Sequence, residues 1–154
     1  AAAYKHLPAA LKAEIEGTQV VHTGAPYGSA NAPPLDTQFT GSMRVARNNP
    51  EADAEIVHPT VRRHPESGEP ALFLNPTYTT RFAHQSNAAS AELLGKLFAH
   101  CTRPEFTCRF RWTPNCVAIW DNRNTLHYAV NDYDGHRRVM YRTTIAGDTP
   151  LSWA

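Results

Sequence analysis

The sequence predicts a mainly β domain with flanking helices, an α+β arrangement. Three observations point there. The second half breaks into short apolar or alternating runs separated by turn residues, the mark of successive strands. Two stretches near residues 1–16 and 86–99 instead carry apolar side chains at helical spacing. Twelve prolines and eight glycines in 154 residues imply many turns and short elements. The length suits one domain with a sizeable core.

Residues 1–16 read as helix, with Tyr4, Leu7, Leu11 and Ile15 on one stripe. Pro8 suits the first turn of a second helical segment, and Gly17 its C-terminal stop. Val20-Val21-His22 starts an extended piece. Residues 24–50 are rich in Gly, Pro, Ala, Ser and Asn, have no period, and predict a flexible loop of functional or disordered type. Glu55 to Arg63 reads as a strand, Glu66-Ser67-Gly68-Glu69 as a turn, and Ala71 to Leu74 as a short buried strand. Together they make a hairpin. Ser86 is a good N-cap for a helix to about Ala99, with Leu93, Leu94, Leu97 and Phe98 inward. Phe106, Cys108, Phe110 and Trp112 then alternate with Thr107, Arg109, Arg111 and Thr113. Pro114-Asn115 turns the chain into a continuous apolar strand, Cys116 to Trp120. Asp121-Asn122-Arg123 turns again, and Leu126–Val130 and Arg137–Ile145 are the last two expected strands.

Charge is nearly balanced, with 15 basic and 14 acidic residues and a net +1, so nothing argues for nucleic acid or a membrane surface. No apolar run approaches the roughly 20 residues that span a bilayer. Cys101, Cys108 and Cys116 make an odd count without a C-x-x-C pair. Their apolar settings predict buried, unreactive thiols in a reducing, cytoplasmic compartment, in preference to a three-cysteine metal site. The opening Ala1-Ala2-Ala3-Tyr4 reads as a helix interior, which predicts a processed or truncated start.

The chemistry gathers near the C-terminus. His127 follows a polar turn and starts an expected strand; a neutral imidazole there is a candidate transition-metal ligand. Arg138 and Arg142 are four apart, so a strand would put both on one face, about 13 Å apart, with Met140 between them. Two guanidinium groups on one face need water or anions. The pattern alone leaves two readings open: an anion-binding face, or a solvated outer face with Arg137, Val139 and Tyr141 turned inward. A histidine beside two arginines suggests a metal enzyme that binds an organic acid. No second or third metal ligand is convincing. His64-Pro65-Glu66 reads as a hairpin turn, and His6, His22, His58, His84, His100 and His136 lack ligand-like spacing with His127.

These blocks resemble the end of the Fe(II)/2-oxoglutarate dioxygenase domain, most closely the taurine dioxygenase (TauD/TfdA) family. The resemblance rests on His58-Pro59-Thr60-Val61-Arg62 with His64-Pro65-Glu66-Ser67-Gly68, and on Ala71 to Asn75 with Thr79-Thr80-Arg81. It continues in Leu97 to His100 with Arg103 to Phe106, then Arg109, Trp120 to Arg123, His127-Tyr128-Ala129, Arg138, Arg142 and Gly147-Asp148. It covers about residues 1–150 and is dense from His58 on. The resemblance implies a partial double-stranded β-helix, or jelly roll, with residues 1–154 as the C-terminal portion of the domain. It implies that His127 is the distal histidine of an iron-binding facial triad. It implies that Arg138 pairs with the far carboxylate of 2-oxoglutarate and that Arg142 holds the anionic head of the substrate. Tyr78 falls where the family enzyme has an aromatic residue lining the substrate pocket; its phenol hydroxyl is a departure that bears on selectivity.

The implied cofactors are Fe(II) and the co-substrate 2-oxoglutarate, and the implied partners are O2 and a small anionic substrate such as a sulfonate, sulfate ester or carboxylate. The family's H-x-D pair and its 2-oxoglutarate threonine have no counterpart here and should precede Tyr4. Two expectations follow for function. One is a dioxygenase fragment, inactive alone, that needs its N-terminal half or forms a homo-oligomer. The other is a non-catalytic anion-binding or assembly protein of the same descent. An H-x-D followed by a threonine in the coding region upstream of Ala1 would favour the first. A plain structural β-domain is the third class, disfavoured by the density of motifs.

Overall fold

The computed structural model describes residues 1–30, 32, 48–130 and 132–153. Two short helices open the chain, α1 (Ala2–Lys5) and α2 (Ala9–Ile15), broken where Pro8 caps the second. Pro8 lacks the N–H that an interior position would need, and as N-cap it loses nothing. Gly17, at φ +66°, then turns the chain into β1 (Gln19–Thr23). A four-residue helix, α3 (Ala25–Gly28), follows. After a 3-10 turn at Pro50–Asp53 come β2 (Glu55–Pro59), β3 (Val61–Arg63), β4 (Pro70–Leu72) and β5 (Thr79–Phe82). The long helix α4 (Asn87–Cys101), a 3-10 turn at Pro104–Phe106 and the two-residue β6 (Leu151–Ser152) complete the elements. No helix among the described residues is long and apolar enough to cross a membrane.

The strands form two antiparallel three-stranded sheets, ordered β2-β1-β5 and β4-β3-β6. The stretch expected to be one strand, Glu55 to Arg63, is divided between them at Thr60. This fully buried residue donates its N–H to Thr18 O (3.0 Å) and its carbonyl accepts from Phe73 N–H (2.8 Å). Its hydroxyl meets that of Thr18 at 2.8 Å. With its backbone and side chain all satisfied, the chain can leave one sheet and enter the other without an orphaned polar group. The hairpin expected from the turn residues is present: Val61 pairs with Leu72 and Arg63 with Pro70, with Gly68 in the left-handed region at φ +72°.

The core lies between the helices and both sheets. Leu7, Ile15, Val20, Val61, Leu74, Phe82, Leu94 and Leu97 are buried, with Tyr4, Leu11, Leu72, Leu93 and Phe98 packed around them. The stripe Tyr4, Leu7, Leu11, Ile15 therefore faces inward as the helical period requires. Ser86 caps α4 through its side chain, which accepts from Ala89 N–H at 3.2 Å.

The four strands expected after residue 106 are not formed. Residues 107–130 and 132–150 lie in no helix or strand. The turns at Pro114-Asn115 and at Asn122 to Asn124 are in place. The apolar side chains between them face solvent: Val117 is 82% exposed, Ile119 93% and Tyr141 95%. Alternation along a segment fixes which way its side chains would point, but a strand also needs a neighbour for its N–H and C=O groups. Beyond residue 106, the described residues give such a neighbour only to β6, which pairs with β3. The expectation of buried thiols is corrected for Cys108 and Cys116 for the same reason. Cys108 is exposed and Cys116 half-buried, its thiol 2.8 Å from the Thr113 hydroxyl. Cys101, on α4, is half-buried, and burial pushes its thiol up to about 11. Most of the 24–50 loop, residues 31 and 33–47, lies outside the described residues.

Candidate functional site

Two polar clusters lie beside two of the residues singled out by the sequence, His127 and Tyr78. The first is built on the hairpin turn between β3 and β4. His64, buried at 6% exposure, accepts Ser67 N–H on Nδ1 at 3.1 Å. Nδ1 is therefore the unprotonated nitrogen, and Nε2 carries the hydrogen that it donates to Asp121 Oδ2 at 3.0 Å. Asp121 is also clasped from within its own turn. Arg123 donates from its backbone N–H to Oδ1 (2.8 Å), from Nε to both oxygens (2.9 and 3.0 Å), and from Nη2 to Oδ2 (2.7 Å). The same Nη2 reaches Glu66 Oε1 at 2.8 Å. The Arg123 hydrogen bonds, then that from His64, hold the Asp121 carboxyl well below the usual carboxylate range. His64 thus has both ring nitrogens engaged, consistent with a turn residue and not a free ligand.

That clasped turn carries the approach to His127. Trp120 donates its indole N–H to Asn122 Oδ1 at 2.9 Å, and its ring lies 4.9 Å from the His127 imidazole, tilted by 51°. His127 is exposed. An imidazole suits one position of a transition-metal site. The described residues bring no companions to it: none of them form a group of three His, Cys, Asp or Glu able to hold a metal ion. They do not by themselves constitute a metal centre.

The second cluster surrounds Tyr78. Asn75 folds the turn before β5: its Oδ1 accepts Thr77 N–H (2.8 Å), and its carbonyl accepts from Tyr78 (3.1 Å) and Thr79 (2.8 Å). Tyr78, 37% exposed, is presented there against Tyr27 of α3, with ring centroids 5.8 Å apart. Burial, with the neighbouring Tyr27, raises the Tyr78 phenol above its ordinary value; the positive charge of Arg142 acts in the opposite sense. Arg142 and Tyr78, 64 residues apart in sequence, are thus brought within electrostatic reach of each other. Arg138 lies elsewhere, its guanidinium 5.1 Å over the Tyr133 ring. Both arginines are exposed, and no strand face carries them. No hydrogen bond or ring contact among the described residues joins His127 to either.

Beside these clusters stand three basic side chains around one phenyl ring. His22, His58 and Arg62 lie 5.5, 5.3 and 5.0 Å from Phe73. Burial, then the nearby His58, lowers His22 to about 4. Burial and the Arg62 charge lower His58 as well. The sequence reading missed Asp121, His64, Arg62 and Tyr27 as site-building residues. Asp121 and Arg123 were visible as a turn, but a turn motif does not say which residue 57 positions away it will meet. Tyr27 sat in a stretch without period.

Comparison with known proteins places these residues in context. The family model described as taurine catabolism dioxygenase TauD, TfdA family matches residues 1–144. An alpha-ketoglutarate-dependent sulfate ester dioxygenase of Pseudomonas putida is 39% identical over 151 residues, 98% of this chain and 49% of that protein. An alkylsulfatase of Acinetobacter baylyi is 37% identical over 95% of this chain and 45% of its own length. The chain therefore spans about half the length of the curated relatives it matches. Among solved structures, a taurine dioxygenase from Burkholderia xenovorans superposes with a TM-score of 0.53 at 31% identity, covering 73% of this chain and 32% of that one.

Proposed function

We propose, from the premise that the chain belongs to the TauD/TfdA family of taurine catabolism dioxygenases, that it is the C-terminal part of an Fe(II)- and 2-oxoglutarate-dependent dioxygenase. The observation that carries this reading is the family match over residues 1–144, a span that includes Tyr78, His127, Arg138 and Arg142. The substrate class is a small organic anion. A sulfate ester is favoured over a carboxylate by the names of the relatives at 39% and 37% identity, and a sulfonate stands beside it through the taurine dioxygenase structure.

In this reading His127 offers one nitrogen to the iron. Arg138 takes the far carboxylate of 2-oxoglutarate through its planar fork, and Arg142 holds the anionic head of the substrate. The remaining iron ligands belong to polypeptide corresponding to the other half of the relatives' length, which would also supply the strands that complete a jelly roll. Three unpaired cysteines support a reducing, cytoplasmic setting.

The test is substrate-dependent succinate formation by the chain joined to its upstream half. A long-chain alkyl sulfate, an alkylsulfonate and a phenoxyacetate would each be offered with Fe(II), 2-oxoglutarate and O2. Turnover with at least one, abolished by His127→Ala, is expected. Failure with all three in a folded protein that binds Fe(II) would overturn the substrate class. The second reading, a non-catalytic anion binder of the same descent, draws on the lack of companion ligands around His127 among the described residues. An upstream coding region without H-x-D would favour it.

A further inference from the structure

The described residues after 106 form no strand before β6, yet one turn within them is fixed by a dense set of contacts. Asp121 receives hydrogen bonds from His64 and from three groups of Arg123, and Arg123 reaches on to Glu66. His64 is itself immobilised, buried and held at Nδ1 by Ser67 N–H. The next residue back, Trp120, is tied to Asn122 and lies against the His127 imidazole. The hairpin turn between β3 and β4 thus dictates where the Trp120 ring sits, and Trp120 provides the surface on which the imidazole rests.

We propose that His64 and Asp121 are a positioning pair for His127, acting through the Asp121–Arg123 turn and the Trp120 ring. This rests on the reading of His127 as the working imidazole given above. The physical argument is one of rotamer freedom. An exposed histidine on a segment without sheet pairing loses side-chain entropy when it is held in one orientation. A tilted aromatic contact of 4.9 Å restrains it only if the aromatic ring is itself fixed. Trp120 is exposed only in part, and its fixation comes from the turn at its C-terminal side. The turn in turn is anchored to the folded sheet by a carboxylate–imidazole contact whose tautomer is set by a backbone N–H. Asp121 is therefore a positioning residue and His64 its anchor.

The test needs no metal, so its outcome is independent of whether His127 binds one. The 154-residue chain is prepared with ring-labelled histidine, and the carbon-bound ring protons of His127 are followed by NMR. Held against Trp120, they should be displaced by its ring current. Asp121→Ala should move them to the position seen in Trp120→Leu, where the ring current is gone. His64→Phe, which keeps the ring volume and removes the donor, should do the same. His64→Gln, whose amide nitrogen replaces Nε2, should retain the displacement. If His64→Phe loses the sheet signals, Asp121→Ala decides, because Asp121 lies outside both sheets. A displacement that survives Asp121→Ala, or one that His64→Gln fails to preserve in a folded chain, overturns the proposal.

Discussion

Arg62 lies with its guanidinium 5.0 Å from the centroid of the Phe73 ring, 3% exposed, and its Nε has no hydrogen-bond partner among the described residues. A buried cation with one unpaired N–H carries a desolvation cost that the ring face and the nearby Asp121 and Asp148 carboxylates, opposed by the like charge of Arg123, offset only in part. Arg62→Met keeps the stem and a thioether contact with Phe73 while removing the charge. We expect stability unchanged or raised, by up to about 2 kcal/mol. Denaturant unfolding measures it; a loss above about 2 kcal/mol would show that Arg62 is compensated within the fold.

Acid should destabilise the fold in two separate windows. His22 drops to about 4 when folded, because burial and then the nearby His58 disfavour its charged form; its Nε2 lies 2.9 Å from the Thr79 hydroxyl. Its folded value lies below the unfolded one, so its contribution is fully present above about pH 6.5 and is lost as pH falls towards 4. His58, also lowered, adds in the same sense. The shift converts to about 3 kcal/mol at most, and the partial exposure of the His22 ring screens it to about 2 kcal/mol. Asp121, held low by Arg123 and then His64, contributes stability that is present above about pH 4 and lost below it. Melting temperature against pH in His22→Gln should flatten between 6.5 and 4 and leave the lower limb intact.

Two serines at the start of α4 should differ in cost. Ser90 is fully buried, accepts Phe82 N–H at 3.0 Å and donates to Gln85 Oε1 at 3.2 Å. Ser90→Ala leaves a buried strand N–H unpaired, at about 1–3 kcal/mol. Ser86→Ala removes an exposed N-cap, at about 1 kcal/mol. Thermal unfolding of both variants checks the order; a more damaging Ser86→Ala would reverse the assignment of which serine ties the helix to β5.

The isolated chain should self-associate. Val117, Ile119, Tyr141 and Ile145 are each more than 80% exposed, on segments that lie in no helix or strand. Sedimentation velocity across a range of concentrations should show dimers or larger species. A compact monomer at every concentration, with a sharp cooperative melt, contradicts this.

In the dioxygenase proposed above, the two arginines should separate kinetically. Losing a charge-assisted contact costs about 1.5–3 kcal/mol, roughly ten- to hundred-fold in affinity. Arg138→Ala should raise the KM for 2-oxoglutarate and Arg138→Lys should rescue it in part, lacking the fork. Arg142→Ala should weaken the primary substrate and leave 2-oxoglutarate decay uncoupled from it. Equal damage to 2-oxoglutarate binding by both alanine variants, with the substrate spared, would remove Arg142 from its role.

The sequence by itself determined what depends on neighbours along the chain. The stripe Tyr4, Leu7, Leu11, Ile15, the Ser86 cap, the stop at Gly17 and the hairpin around Gly68 are each set by local geometry, and each is present. The family resemblance was legible for the same reason, because it resides in short ordered motifs. Only the tertiary structure decided what depends on contacts between distant residues. It split Glu55–Arg63 at Thr60, since Thr18 and Phe73 supply the hydrogen bonds that let the chain change sheets there. It joined His64 to Asp121, a pair that no local pattern encodes. It left Phe110, Val117 and Ile119 exposed where alternation and a continuous apolar run had implied strands, because a strand is completed by its partner's backbone and not by its own sequence.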